Sequence, residues 1–326
     1  MIWAVWPLLG NQIMKTLYIG IQKGGVGKST QTCQLAFYAR SQGYRVLVID
    51  FDDQANTTHC LARSGKVMPL SKTVTEVMMQ PVSIIPDASG FNILAADGRF
   101  NGVLVEQARV KVEVDGIQTE LSSLAHQHFA QFLESMDAHY DLCIIDGPPS
   151  LDIRVTIALT LADAVLSPIE LMQESIEGMS NTLYGQRGIL NIKSMLNPKL
   201  QFLGFLPNKV QSNETQRAAL KELNERIGQH FFSNNEGVVA LIPLRSAISE
   251  CQKQGISLAD IVKSNTMARS TWASLRKIFD LILARIGVED HSQVEHGQTE
   301  REVNERMTDN IIDLATQKNK VGRQFG

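Results

Sequence analysis

The run Lys23-Gly24-Gly25-Val26-Gly27-Lys28-Ser29-Thr30 constrains this chain more than any other feature. It follows a short β-rich stretch, Thr16–Gln22 (TLYIGIQ), and opens a helical one, Ser29–Gln42. Glycines at 24, 25 and 27 let the backbone fold tightly, so that successive N–H groups point inward at an anion. The helix that follows turns its positive end toward the same place. Lys28 adds a full positive charge at the β- and γ-phosphates of a nucleotide, and the Ser29 hydroxyl is placed to ligate Mg²⁺. Strand, loop and helix stand in the order that a phosphate loop requires.

The rest of the chain alternates in the same way. Apolar β-rich runs at Arg45–Asp50, Asn92–Ala96, Asp141–Asp146, Ala164–Ile169, Phe202–Asn208 and Val238–Pro243 are separated by helical stretches such as Glu120–Ala138, Ser175–Leu196 and Glu214–Phe231. Strands that are apolar almost throughout are covered on both faces, which predicts a single α/β domain built on one doubly wound, mostly parallel sheet. Its functional loops then lie at the carboxyl ends of the strands. The folded domain is expected over 14–287, with a glycine stop at Gly287. Residues 1–13, apolar but without Lys or Arg before Lys15, read as an extension or a non-native start rather than a signal peptide or a membrane span. Residues 288–326 read as a polar tail, partly helical or disordered; its eight acids and five bases give −3, the net charge of the whole chain.

Two acidic strand ends accompany the loop. The first is Val48-Ile49-Asp50-Phe51-Asp52-Asp53-Gln54-Ala55-Asn56-Thr57-Thr58, and the second is Tyr140-Asp141-Leu142-Cys143-Ile144-Ile145-Asp146-Gly147-Pro148-Pro149-Ser150. Carboxylates at such positions, beside a phosphate loop, can hold a metal's water or orient an attacking one. An apolar strand that ends in a lone aspartate suits water-mediated contact from Asp146 to Mg²⁺.

Where a plain phosphate loop has its first glycine this chain has Gln22, followed by Lys23. This resembles the deviant Walker A loop of the ParA/MinD superfamily, and KGGVGKST matches it without a break. The resemblance covers roughly residues 14–287. It implies an ATP hydrolase that uses ATP and Mg²⁺, with Lys23, Gly24, Gly25, Val26, Gly27, Lys28, Ser29 and Thr30 around the phosphates. It further implies that Lys23 reaches the nucleotide of the other subunit, so that homodimerisation depends on ATP. Asp50-Phe51-Asp52-Asp53-Gln54 looks like the family's D-x-D-x-Q switch segment, with Asp53 where proline is more usual; by that match Asp52 positions the hydrolytic water. Ser29, Asp50 and Asp146 would serve the metal, and Gly147-Pro148-Pro149 resembles the second switch. Asn208, at a strand end, and Pro243 resemble the family's adenine-side contacts. Arg217 and Arg245 are the nearest equivalents of the arginines that contact DNA in related proteins.

The resemblance therefore implies a small ParA-type partition ATPase, cytoplasmic and nucleoid-associated. Its ATP dimer would bind nonspecific DNA, and a ParB-like centromere-binding partner would stimulate hydrolysis. The alternative is a MinD-like positioning ATPase acting on a membrane or a protein cargo; the tail is a poor match to that class's Phe-, Leu- and Lys-rich amphipathic helix, and no stable membrane insertion is expected. A pI near 6.2 excludes a globally basic nucleic-acid binder but not a local basic patch. Cys33, Cys60, Cys143 and Cys251 form no C-x-x-C pair, which argues against zinc, iron–sulfur and disulfide frameworks and for reduced thiols. His126 and His128, two apart on a helix, point away from each other and are no metal pair.

Overall fold

The structure is a computed structural model that describes residues 14–99, 111–114, 117–150, 152–172, 175–185, 187–211 and 213–288. The extension at 1–13 and the polar tail from residue 289 onward lie outside the described residues. Seven parallel strands form the main sheet: β1 (Lys15–Ile19), β2 (Val46–Asp50), β3 (Met68–Thr73), β4 (Phe91–Ala95), β7 (Leu142–Asp146), β8 (Ala164–Ile169) and β9 (Gln201–Pro207). Their spatial order is β3-β4-β2-β7-β1-β8-β9. β5 (Lys111–Val114) and β6 (Ile117–Glu120) make a separate antiparallel pair.

Side chains alternate between the two faces of each central strand. Leu17, Ile19, Val46, Val48, Leu142 and Ile144 join one core with Leu35 and Phe279, whereas Tyr18, Leu47, Ile49, Cys143 and Ile145 join the other with Phe129 and Phe132. The first core packs beneath α1 (Lys28–Ser41), α9 (Ser246–Gln254) and α10 (Thr266–Ile286); the second lies beneath α3 (Val74–Met79), α4 (Leu121–Met136) and α5 (Ile153–Leu161). Fully burying one such aliphatic or aromatic side chain contributes about 1.5–3 kcal/mol. This two-sided burial holds the central strands, and so their carboxyl ends, in fixed register.

The structure departs from the sequence expectations at four places. Val238–Pro243 is not a strand; its ladder pairing is confined to isolated bridges, Val210 with Pro243 and Ser233 with Val239. Edge strand β3 and the β5–β6 pair were not expected, because their sequences lack the continuous apolar character of the central strands. The stretch Ser175–Leu196 is two helices, α6 (Ser175–Tyr184) and α7 (Ile189–Met195), broken where Gly188 donates to the Gly185 carbonyl. α2 (Asn56–Ser64) lies between β2 and β3, and α8 (Glu214–Ile227) follows β9. The glycine stop at Gly287 is present, with φ 68° after the last residue of α10.

Candidate functional site

β1, β7 and β2 are neighbours, and their registers bring three strand ends level: Ile19 pairs with Asp146, and Asp146 with Asp50. The phosphate loop leaves β1 at this point, so both carboxylates stand at its side. Within the loop Gly25 and Gly27 adopt φ +78° and +92°, where L side chains are strained. α1 begins at Lys28 with no side-chain cap, which leaves the positive end of the helix open to an anion. The buried Lys28 ammonium donates to the Lys23 carbonyl at 2.9 Å across the turn of the loop. Burial pulls its pKa down, while Asp146 and Asp52 favour the charged form. Lys23 itself is half-buried, and its N–H donates to the Ile21 carbonyl.

Asp146 is fully buried and accepts from the Thr57 hydroxyl at 2.7 Å and the Thr32 hydroxyl at 3.5 Å. Burial, then the neighbouring Asp50, pushes its pKa up to about 7, against hydrogen bonds from Thr57 and Ser29 and the charge of Lys28. Asp50 is equally buried and is raised to about 6, burial again being the main cause. Its two oxygens accept from Asp52 N–H at 3.1 Å and from the N–H and hydroxyl of Thr58, both at 2.8 Å. Asp50 thus fastens both ends of the turn that carries Asp52. The Asp52 carboxylate accepts from Gln54 N–H at 3.0 Å, and Ala55, just beyond, holds φ +52° in the left-handed region at the start of α2.

Asn208, at the end of β9, is brought to the same loop: its amide donates to the Val26 carbonyl at 2.7 Å and accepts from Gln31 at 3.4 Å. A Cβ added to Gly27 would lie 2.3 Å from that amide nitrogen, so the glycine is needed for this close approach as well as for its φ. Pro243 lies alongside, since Ile242 donates to Pro207 and Val210 to Ile242, both at 2.9 Å. The two sequence-predicted arginines lie on exposed segments leading away from this end of β9, Arg217 on α8 and Arg245 just before α9.

Sequence reasoning missed several residues here. Lys209, with φ +55°, reaches back to the Gly25 carbonyl and pairs with Glu170 at 2.8 Å. Thr57 and Thr58 close the quoted acidic run without a role read for them there, and their hydroxyls complete the Asp146 and Asp50 shells. The Tyr18 ring fills the space beneath Gly20 and Gly147, where an added Cβ would come within 2.3 Å of it. Arg154, on α5, has partners about a hundred positions earlier, which no local pattern could reveal. His128 bonds the Met78 carbonyl, and no group of three or more His, Cys, Asp or Glu that could hold a metal occurs among the described residues. All four cysteines are buried and free. Among the described residues no helix is long and apolar enough to cross a membrane.

Residues 14–202 match the family model described as an AAA domain. The chain is 31% identical over 283 residues to Protein IncC of Escherichia coli, covering 86% of this chain and 72% of the relative. It is 27% identical over 276 residues to the chromosome-partitioning ATPase Soj of Thermus thermophilus, covering 84% and 97%. Among solved structures, the ATP complex of a Cyanothece McdA variant superimposes with a TM-score of 0.63 at 21% identity, over 85% of this chain and 98% of that one. The phosphate loop, the paired strand-end carboxylates and these relatives agree: the chain belongs to the ParA/MinD family of partition ATPases.

Proposed function

We propose that the chain binds Mg·ATP at the phosphate loop, dimerises around it, and uses its hydrolysis to time the release of DNA in a partition system. One observation carries this reading: Lys28, Ser29, Asp50, Asp52 and Asp146 converge at the ends of three adjacent strands. The loop fits a polyphosphate. Its two positive-φ glycines, uncapped helix end and buried lysine are all features that an anion stabilises. The oxygen donors of Ser29 and Asp146 suit Mg²⁺, which draws its remaining ligands from phosphate and water. The metal would neutralise phosphate charge, and two carboxylates raised by burial would regain their ionised form beside it.

The residues divide the work. Gly24 to Thr30 bind and orient the phosphates, and Lys28 holds positive charge at the β/γ bridge. Asp52, fixed by its neighbours' bonds to Asp50, orients the attacking water; phosphoryl transfer needs such positioning more than a covalent nucleophile. Asp50 serves the metal shell chiefly by holding this turn. Lys23 extends to the nucleotide of the second subunit, and Asn208 with Pro243 borders the base. Arg217 and Arg245 give sequence-independent phosphate contacts to nucleoid DNA, and a separate centromere-binding protein accelerates hydrolysis. The likeness to IncC and Soj over most of the chain supports partition over the membrane-acting alternative.

Co-sedimentation with nonspecific DNA tests the cycle. Binding is expected with ATP and lost with ADP, and it should weaken steeply with salt. Equal binding in both nucleotide states would remove the switch from the mechanism.

A further inference from the structure

Arg154 sits in the first turn of α5, at the positive end of the helix dipole, with only 2% of its side chain exposed. A cation in that place is unfavourable on both counts, by dipole and by desolvation. The surroundings compensate completely. Nε donates to both oxygens of Asp152 (2.9 and 3.1 Å), and Nη2 donates to Asp152 at 2.5 Å and faces Ser150 Oγ at 3.5 Å. Nη1 turns the other way, to the Phe51 carbonyl and the Asp53 carboxylate, each at 2.9 Å. One rigid fork therefore spans two separate segments, the turn after β2 and the loop after β7. Its two contacts on the first segment are the residues immediately before and after Asp52. Asp53 is the position at which this chain departs from the proline more usual in the family segment it resembles, so the fork uses a carboxylate that proline could not supply.

We propose that Arg154 is a positioning residue that yokes the Asp52 turn to the Gly147–Ser150 loop, so that the two move together and Asp52 reaches its water only when that loop is in place. This rests on the hydrolytic role assigned to Asp52 above. If the loop after β7 shifts, Asp152 and Ser150 shift with it, and the guanidinium must either carry residues 51–53 along or leave a buried charge unpaired. The second course is the costlier, because removing one partner of a buried ion pair exposes its whole desolvation cost. A lysine keeps the charge but not the planar fork, and cannot hold both segments at once.

Turnover and nucleotide affinity are measured for wild type, Arg154→Lys and the milder Asp53→Asn, with folding checked by thermal melting. Arg154→Lys is expected to lower kcat roughly tenfold while nucleotide Kd stays within about twofold, since a small misplacement of a water-orienting group costs rate and not binding. Asp53→Asn should fall between wild type and Arg154→Lys. Amide hydrogen exchange should quicken at residues 51–54 and at Gly147 and Ser150 together in Arg154→Lys. Unchanged kcat in both variants, or a parallel loss of affinity and rate, would overturn the yoke. Asp52→Ala separates the two levels. If it is inactive while Arg154→Lys is unimpaired, only the yoke fails; if Asp52→Ala turns over normally, the hydrolytic reading fails and the yoke with it.

Discussion

Gly27→Ala probes the contact between the phosphate loop and Asn208 at the end of β9. The new methyl group meets two obstacles. The backbone φ of +92° is strained for any L side chain, at a cost of about 1–3 kcal/mol. The methyl would also lie 2.3 Å from the Asn208 amide nitrogen, which must swing away and give up its 2.7 Å bond to the buried Val26 carbonyl. Leaving that carbonyl unpaired costs about 1–3 kcal/mol more. The sum, about 2–6 kcal/mol, corresponds to roughly 30-fold or more in any equilibrium that requires the native loop. Asn208→Ala alone should cost only the second part. Because the bond can be lost only once, Gly27→Ala/Asn208→Ala should be about as unstable as Gly27→Ala, a coupling of about 1–3 kcal/mol. Urea unfolding of the four proteins without nucleotide measures this, free of any contribution from a base. If the two single costs simply add, Asn208 does not meet the loop at Gly27 and the reasoning is wrong.

Two further outcomes follow from the carboxylates. Asp52→Ala should keep ATP binding and dimerisation, read by fluorescent-nucleotide titration and sedimentation, while hydrolysis stops; normal turnover would move water positioning to another group. Asp146→Asn should trade function for stability. The folded pKa of Asp146, about 7, lies above its ordinary 3.8, so the nucleotide-free fold loses stability as pH rises through that window. The variant should therefore melt higher than wild type at about pH 8, where the aspartate is ionised, and gain little at about pH 5, where it is already neutral. An equal shift at both pH values would show that burial of the charge is not the cause.

Much of this site was legible in the sequence because its parts are local. A phosphate loop needs glycines, a lysine and a hydroxyl within one turn, and residues 23–30 show them in order. Asp50 and Asp146 stand out for a similar reason: each closes an apolar strand, and a charge there must lie at an exposed or functional end. Less of the periphery could be read. Edge strand β3 has only one well-buried residue in its pattern, so it lacks the apolar signature of a central strand. The segment around Pro243 is apolar enough to read as a strand, but it pairs only through single bridges.

What the sequence determined by itself, then, is the chemistry on offer: an anion cradle, two strand-end carboxylates and the lysine by which the loop resembles the family's. Only the tertiary structure decided how these groups are held. Strand order places β2 and β1 on either side of β7, which brings Asp50, Asp146 and the loop together although 96 positions separate the two aspartates. The same packing sets Asn208 against Val26 and Arg154 against residues 51 and 53. Such contacts depend on sheet order and on burial from both faces, not on neighbouring residues. The loop's chemistry is a local property, but the restraint that lets it act belongs to the whole sheet.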